Sequence, residues 1–131
     1  MINYRDIIGV PFVEKGRSPE TGWDCFGLLK WCMKEAYGID IPEHMDDYSC
    51  VRDKDGAFRI IMAEAPRWRS LLKPEYGAVP VFSFVRAYHV GFFIDTYHFL
   101  HVYEGIQTSI ADVNSLMWAS RLRGVYKWAT L

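Results

Sequence analysis

The sequence predicts an α+β fold in which N-terminal helices pack on a C-terminal antiparallel β-sheet. Apolar side chains recur at helical spacing from Cys25 to Ala36, while short β-branched and aromatic runs begin at Val79. The two kinds of segment follow one another instead of alternating, which argues against the parallel sheet of repeated βαβ units. Half of the 131 residues are hydrophobic and 16% are aromatic, which suits a single domain over 1–131 with a sizeable core.

Residues Asn3 to Val13 open with a helical turn and end at the punctuation of Gly9 and Pro11. Lys15 to Gly22 is a loop by its glycine, serine and proline content. The best-defined helix starts at Cys25, with Cys25, Leu28, Leu29, Cys32, Met33 and Ala36 on one face. Asp24 can cap its first turn, Gly38 can adopt the left-handed conformation that ends it, and Pro42 prevents its resumption. Between Glu43 and Lys73 the pattern is weaker, and Ala57 to Ala65 with Trp68 to Leu72 read as one helix interrupted around Pro66. After Pro74 the expected strands are Val79 to Val85, Tyr88 to Ile94, His98 to Glu104, Ile106 to Ile110 and Val125 to Trp128.

The formal net charge of -1 gives no basic excess to attract nucleic acid or an anionic membrane surface. The start Met1-Ile2-Asn3-Tyr4-Arg5-Asp6 lacks the apolar stretch of a signal peptide. No run approaches the roughly 18 apolar residues of a membrane span. The expectation is therefore a chain made in the cytoplasm without an export signal.

Three cysteines, without framework spacing, argue against a disulfide scaffold. Cys25 and Cys32 on one helix are separated by roughly 10 Å of rise, too far for a bridge. No C-x-x-C or H-E-x-x-H spacing suggests a metal site, so none is expected.

The chemistry concentrates on Cys25, His89 and His101. Cys25 falls where a loop turns into a helix, and the unpaired N–H groups and positive dipole end there favour a thiolate near neutral pH. A thiol nucleophile needs a general base within reach, and that base needs a partner to fix its tautomer. His89 and His101, both in expected strands, can supply those two roles if they meet.

Hairpin register decides whether they do. With Asp95-Thr96-Tyr97 as a three-residue loop, Ile94 opposes His98, Gly91 faces His101 and His89 faces Tyr103. The two histidines then share a face as diagonal neighbours, with Cβ atoms roughly 7 Å apart. A two-residue loop without a bulge would put them on opposite faces. His44 and His98 have no evident partner in the sequence.

The ordered segments Gly9-Val10-Pro11-Phe12, Asp24-Cys25-Phe26-Gly27-Leu28, Gly38-Ile39-Asp40-Ile41-Pro42, His89-Val90-Gly91-Phe92-Phe93-Ile94 and Phe99-Leu100-His101 together resemble the NlpC/P60 family of cysteine peptidases. The likeness spans nearly the whole chain. It implies a papain-like α+β fold and hydrolysis of amide bonds in cell-wall (peptidoglycan) stem peptides, often between D-glutamate and a diamino acid. It implies Cys25 as nucleophile, His89 as general base and His101 as the residue that orients it, with no cofactor. The Cys25 backbone N–H becomes one oxyanion donor. A stand-alone domain of this length also resembles the NlpC/P60 proteins of phage and prophage tail modules, which implies tail proteins as partners and a place in the virion.

The substrate end departs from the family pattern. Members that grip the free amine of an N-terminal L-alanine tend to have a tyrosine near position 12 and a serine after the nucleophile, where this chain has Phe12 and Phe26. Asp24 of that group is present and reads equally as an amine ligand or a helix cap. Trp23, beside the nucleophile, is the aromatic residue marked as a substrate-stacking surface. A CHAP-like amidase shares the order of cysteine before histidine and would cut a different wall bond. A tail-assembly protein that keeps the fold without catalysis is the non-enzymatic alternative.

Overall fold

The computed structural model describes residues 1–131. A 3₁₀ turn over Tyr4–Ile7, capped by Asn3, leads through a loop to a two-stranded antiparallel ribbon, β1 (Arg17–Ser18) and β2 (Gly22–Trp23). Helix α1 (Cys25–Tyr37) follows directly. Its boundaries are those its caps dictate: the Asp24 carboxylate accepts the Gly27 N–H at 2.8 Å, and Gly38 takes φ 68° and ψ 16°. The apolar face carries Leu28, Leu29, Cys32 and Met33 into a core shared with Ile7, Trp23, Ile41, Phe92, Leu100 and Val102.

Helix α2 (Lys54–Glu64) begins earlier than its apolar pattern suggests, because the Asp53 side chain accepts the Gly56 N–H at 3.0 Å and caps it. It tightens into a 3₁₀ turn at Ala65–Arg67 around Pro66. The helix expected over Trp68 to Leu72 is not formed. Trp68–Ser70 is a strand, β3, that pairs with the last strand of the chain. Trp68 lies opposite Trp128 with ring centroids 5.2 Å apart and planes at 84°, so an edge-to-face aromatic pair outweighs local helical pattern.

The remaining strands are β4 (Val79–Ser83), β5 (Tyr88–Val90), β6 (Phe92–Phe93), β7 (His98–Tyr103), β8 (Ile106–Asp112) and β9 (Leu122–Trp128). They form one sheet of order β3-β9-β4-β5 and another of order β6-β7-β8, with every neighbouring pair antiparallel. Gly91 divides the expected strand Tyr88 to Ile94 between the two sheets. A Cβ there would stand 2.7 Å from the Leu100 carbonyl oxygen and 2.9 Å from the Phe99 ring, so only glycine lets this ribbon pass so close to β7. Phe93 also exchanges backbone hydrogen bonds with Gly77 and Ala78, each 2.9 Å, which ties β6 to the start of β4.

A single helical turn, α3 (Leu116–Ala119), drops Trp118 into a second core with Phe82, Phe93, Phe99 and Val125. Four residues are too few to show periodicity, so nothing in the sequence marks this turn. Helices on an antiparallel sheet make the fold α+β, and no helix is long and apolar enough to cross a membrane.

Candidate active site

The hairpin of β6 and β7 has the register derived from a three-residue loop. Phe92 pairs with Leu100, Phe93 with Phe99, and the Ile94 N–H donates to the His98 carbonyl at 2.9 Å. The Asp95 side chain fixes the turn by accepting the Tyr97 and His98 N–H groups, both at 2.7 Å. In this register His89 Nε2 lies 3.1 Å from His101 Nδ1.

Both imidazoles are buried, each 4% exposed, and aromatic rings enclose them. Trp118 stacks on His89 with centroids 5.4 Å apart, and Tyr103 stacks on His101 at 5.5 Å. Tyr103 was legible from the register, whereas Trp118 comes from the unsignalled turn α3. Burial, with the neighbouring His101, lowers the pKa of His89 to about 3, and burial lowers that of His101 to about 4. Both rings are therefore neutral at physiological pH.

That neutrality constrains the tautomers. For His89 to serve as a base toward a thiol, its Nε2–H must donate to His101 Nδ1, which leaves His89 Nδ1 with a free lone pair. His101 then carries its own proton on Nε2. An imidazolium formed at His89 keeps the His101 Nδ1 acceptor, the arrangement an orienting residue provides.

Cys25 is the first residue of α1 and lines one groove together with His89. No hydrogen bond joins the two side chains. The expected low thiol pKa is not found: burial, and then the Asp24 charge, push Cys25 up to about 12. The backbone N–H groups of Phe26, in the first turn of α1, and of Val90, in β5, do favour the thiolate, but they lose to desolvation and to the Asp24 carboxylate. The resting pair is thus thiol and neutral imidazole. Attack from such a pair requires the proton to move to His89 as the S–C bond forms.

The Cys25 N–H donates to no acceptor within the protein, whereas that of Leu28 bonds the Asp24 carbonyl at 3.0 Å. A free Cys25 N–H beside its own sulfur is suited to an oxyanion.

Asp24 has no exposed surface and no spare acceptor. One oxygen accepts from Gly27 N–H (2.8 Å) and Arg17 Nη1 (3.0 Å), and the other from Lys15 N–H (3.2 Å) and the Tyr48 hydroxyl. Arg17 Nη2 in turn donates to the Tyr48 oxygen at 2.8 Å. The cap reading of Asp24 is what the geometry displays, and a substrate amine would have to displace Arg17. Arg17, from the short strand β1, and Tyr48, from the loop after α1, carry no sequence signal for this contact.

Trp23, marked as a stacking surface, is fully buried in the core, and its indole N–H donates to Thr108 Oγ1 at 2.8 Å. It offers no face to a substrate. His44 and His98 do have partners: His44 bridges Asp47 (2.7 Å) and Glu64 (2.9 Å), and His98 pairs with Asp95 (2.9 Å). All three cysteines are free, and no cluster of three or more His, Cys, Asp or Glu side chains is arranged to hold a metal.

Cys25 stands between two spaces. The wider, of about 280 Å³, is bordered by His89, Tyr88, Phe84 and Tyr103. The narrower, of about 70 Å³, is lined by Phe26, Tyr48, Cys50 and Val90. It shares Phe26, Ile60, Ile61 and Val90 with an apolar cavity of about 240 Å³ between α1, α2 and the sheet.

Comparison with known proteins places the fold. The chain is 23% identical over 124 residues to a gamma-DL-glutamyl hydrolase of Bacillus subtilis (strain 168), covering 95% of this chain and 27% of that protein. It therefore spans about a quarter of the length of that relative. A solved NlpC/P60-family structure similar to a lipoprotein, from Staphylococcus aureus subsp. aureus Mu50, superposes with a TM-score of 0.64 at 23% identity, over 93% of this chain and 37% of that one. The NlpC/p60 domain of the peptidoglycan hydrolase SagA superposes with a TM-score of 0.61 at 18% identity, over 91% of this chain and 87% of that domain. The fold is shared with both. The family model for NlpC/P60 matches residues 9–127, and with nearly the whole chain so covered, this protein belongs to the NlpC/P60 family.

Proposed function

We propose that this protein is a cysteine peptidase that hydrolyses an amide bond in the stem peptides of peptidoglycan. The observation that carries the reading is the 3.1 Å contact between His89 Nε2 and His101 Nδ1 beside a cysteine at a helix start whose own N–H is free. Hydrolase relatives that act on γ-glutamyl linkages and on peptidoglycan, by their names, support the substrate class.

In this reading Cys25 Sγ attacks the amide carbonyl while its proton passes to His89 Nδ1. The oxyanion is met by the Cys25 N–H, and the His89 proton then goes to the leaving amine. Water, activated by the same nitrogen, cleaves the thioester and restores the thiol. His101 is a positioning residue that acts through His89. We also propose a place at the tail of a phage particle, on the likeness of the sequence to tail-module members of the family; detection of its peptides in purified particles checks that part.

Digestion of purified wall with wild-type protein and with Cys25→Ala tests the enzymatic reading. Wild type is expected to release fragments with one newly exposed amine at a γ-glutamyl bond, and Cys25→Ala none. Release at a sugar–peptide amide would favour the CHAP-like alternative. No release by either protein would favour a non-catalytic component.

A further inference from the structure

The charged groups around Cys25 are unevenly compensated. On the narrow side the Asp24 charge is matched by Arg17 at 3.0 Å. On the wide side Arg52 pairs with Glu104 at 3.0 Å across the mouth of the groove. Arg86, in the turn between β4 and β5, lines the same groove as Cys25 and His89, is exposed, and has no acidic partner. Two further cations without acidic partners lie against the groove walls. Lys54 sits 4.8 Å from the centroid of the Tyr88 ring and donates to the Phe84 carbonyl, and Arg121 lies 4.9 Å from the centroid of the Phe84 ring. Glu14, near by, is turned to the Val51 N–H at 2.6 Å.

An uncompensated positive charge in a groove with aromatic walls attracts an anion, and a guanidinium matches the two oxygens of a carboxylate. We infer that the wide groove beside Cys25 is a carboxylate-binding subsite, in which Arg86 takes the anion and Lys54 and Arg121 add to the field. The narrow side, neutralised by Arg17 and otherwise apolar, takes an uncharged group. The identity of the anion, a carboxylate within one residue of the scissile amide, rests on the wall-peptide reading; the subsite itself does not.

Alkylation of Cys25 by iodoacetate and by iodoacetamide measures this without a substrate. In both reactions the Cys25 thiolate forms an S–C bond and iodide leaves, so thiol ionisation cancels in the ratio of the two rates. Full-length wild type, Arg86→Gln and Arg69→Gln, an exposed position on β3 at the sheet edge opposite β5, are treated at about pH 9, with Cys25 modification read by peptide mass. The iodoacetate-to-iodoacetamide ratio is expected to fall about two- to fivefold in Arg86→Gln, to stay unchanged in Arg69→Gln, and to shrink for wild type in about 0.5 M salt. An unchanged ratio in Arg86→Gln overturns the subsite even if the protein digests wall. A lowered ratio upholds it even if no wall is digested, which would count against the peptidase reading alone. Where wall peptides are cleaved, amidation of the carboxylate on either side of the scissile bond is expected to slow wild type and spare Arg86→Gln; indifference of wild type to both overturns the assignment of the anion.

Discussion

Cys25 stands at the first position of α1 with its own N–H free, yet Asp24 directs a carboxylate at the same helix end. Burial and that carboxylate hold the thiol up at about 12, while burial holds His89 down at about 3, so neither side chain is charged at rest. A helix dipole is worth roughly 0.3–1 kcal/mol in such a setting, less than the desolvation of a buried thiolate. The alkylation rate of Cys25 by a neutral reagent is accordingly expected to climb steadily as pH rises past about 9. A plateau between about pH 5 and 7 would instead reveal a thiolate–imidazolium pair. The place of Cys25 at the start of α1 was legible from position and pattern, but its charge state was not, because that depends on Val90 and Asp24 packing around the sulfur.

At the scale of elements, the caps of α1 and the β6–β7 register were readable because local residues fix both: Asp24 and Gly38 for the helix, Asp95 for the turn. The strand β3, the split at Gly91 and the turn α3 were not, since each is decided by a distant partner. Trp68 needs Trp128, Gly91 needs Leu100, and Trp118 needs the ring of His89. The same holds for the lock at the start of α1, where Asp24 ties together Arg17 of β1, the Lys15 backbone and Tyr48 of the following loop. Removing Asp24 leaves the Arg17 guanidinium half-buried and short of its main acid partner. Asp24→Ala is expected to destabilise by about 3 kcal/mol or more, seen as a lower urea midpoint at unchanged slope. A loss below about 1 kcal/mol, the worth of a helix cap alone, would show that the lock contributes little.

The whole molecule carries the cost of keeping two imidazoles neutral in an aromatic core. Their folded pKa values, about 3 and about 4, lie below the ordinary 6.5, so on acidification the unfolded chain takes up protons before the native one does. Stability is therefore complete above about pH 6.5 and falls as the pH drops toward 4 and then 3, by about 1.4 kcal/mol per pH unit for each histidine. Urea titrations across that range check it, and stability independent of pH from about 7 to 4 would contradict it.

In the proposed reaction Cys25 carries the acyl group between two half-reactions, with His89 moving the proton. Rapid quenching of wild type during turnover of a wall peptide, followed by mass measurement of the Cys25 peptide, observes that intermediate directly. The expected result is a Cys25 peptide heavier by the acyl fragment, formed in wild type and absent in His89→Ala. Turnover with no adduct on Cys25, or undiminished turnover by Cys25→Ala, would contradict the claim.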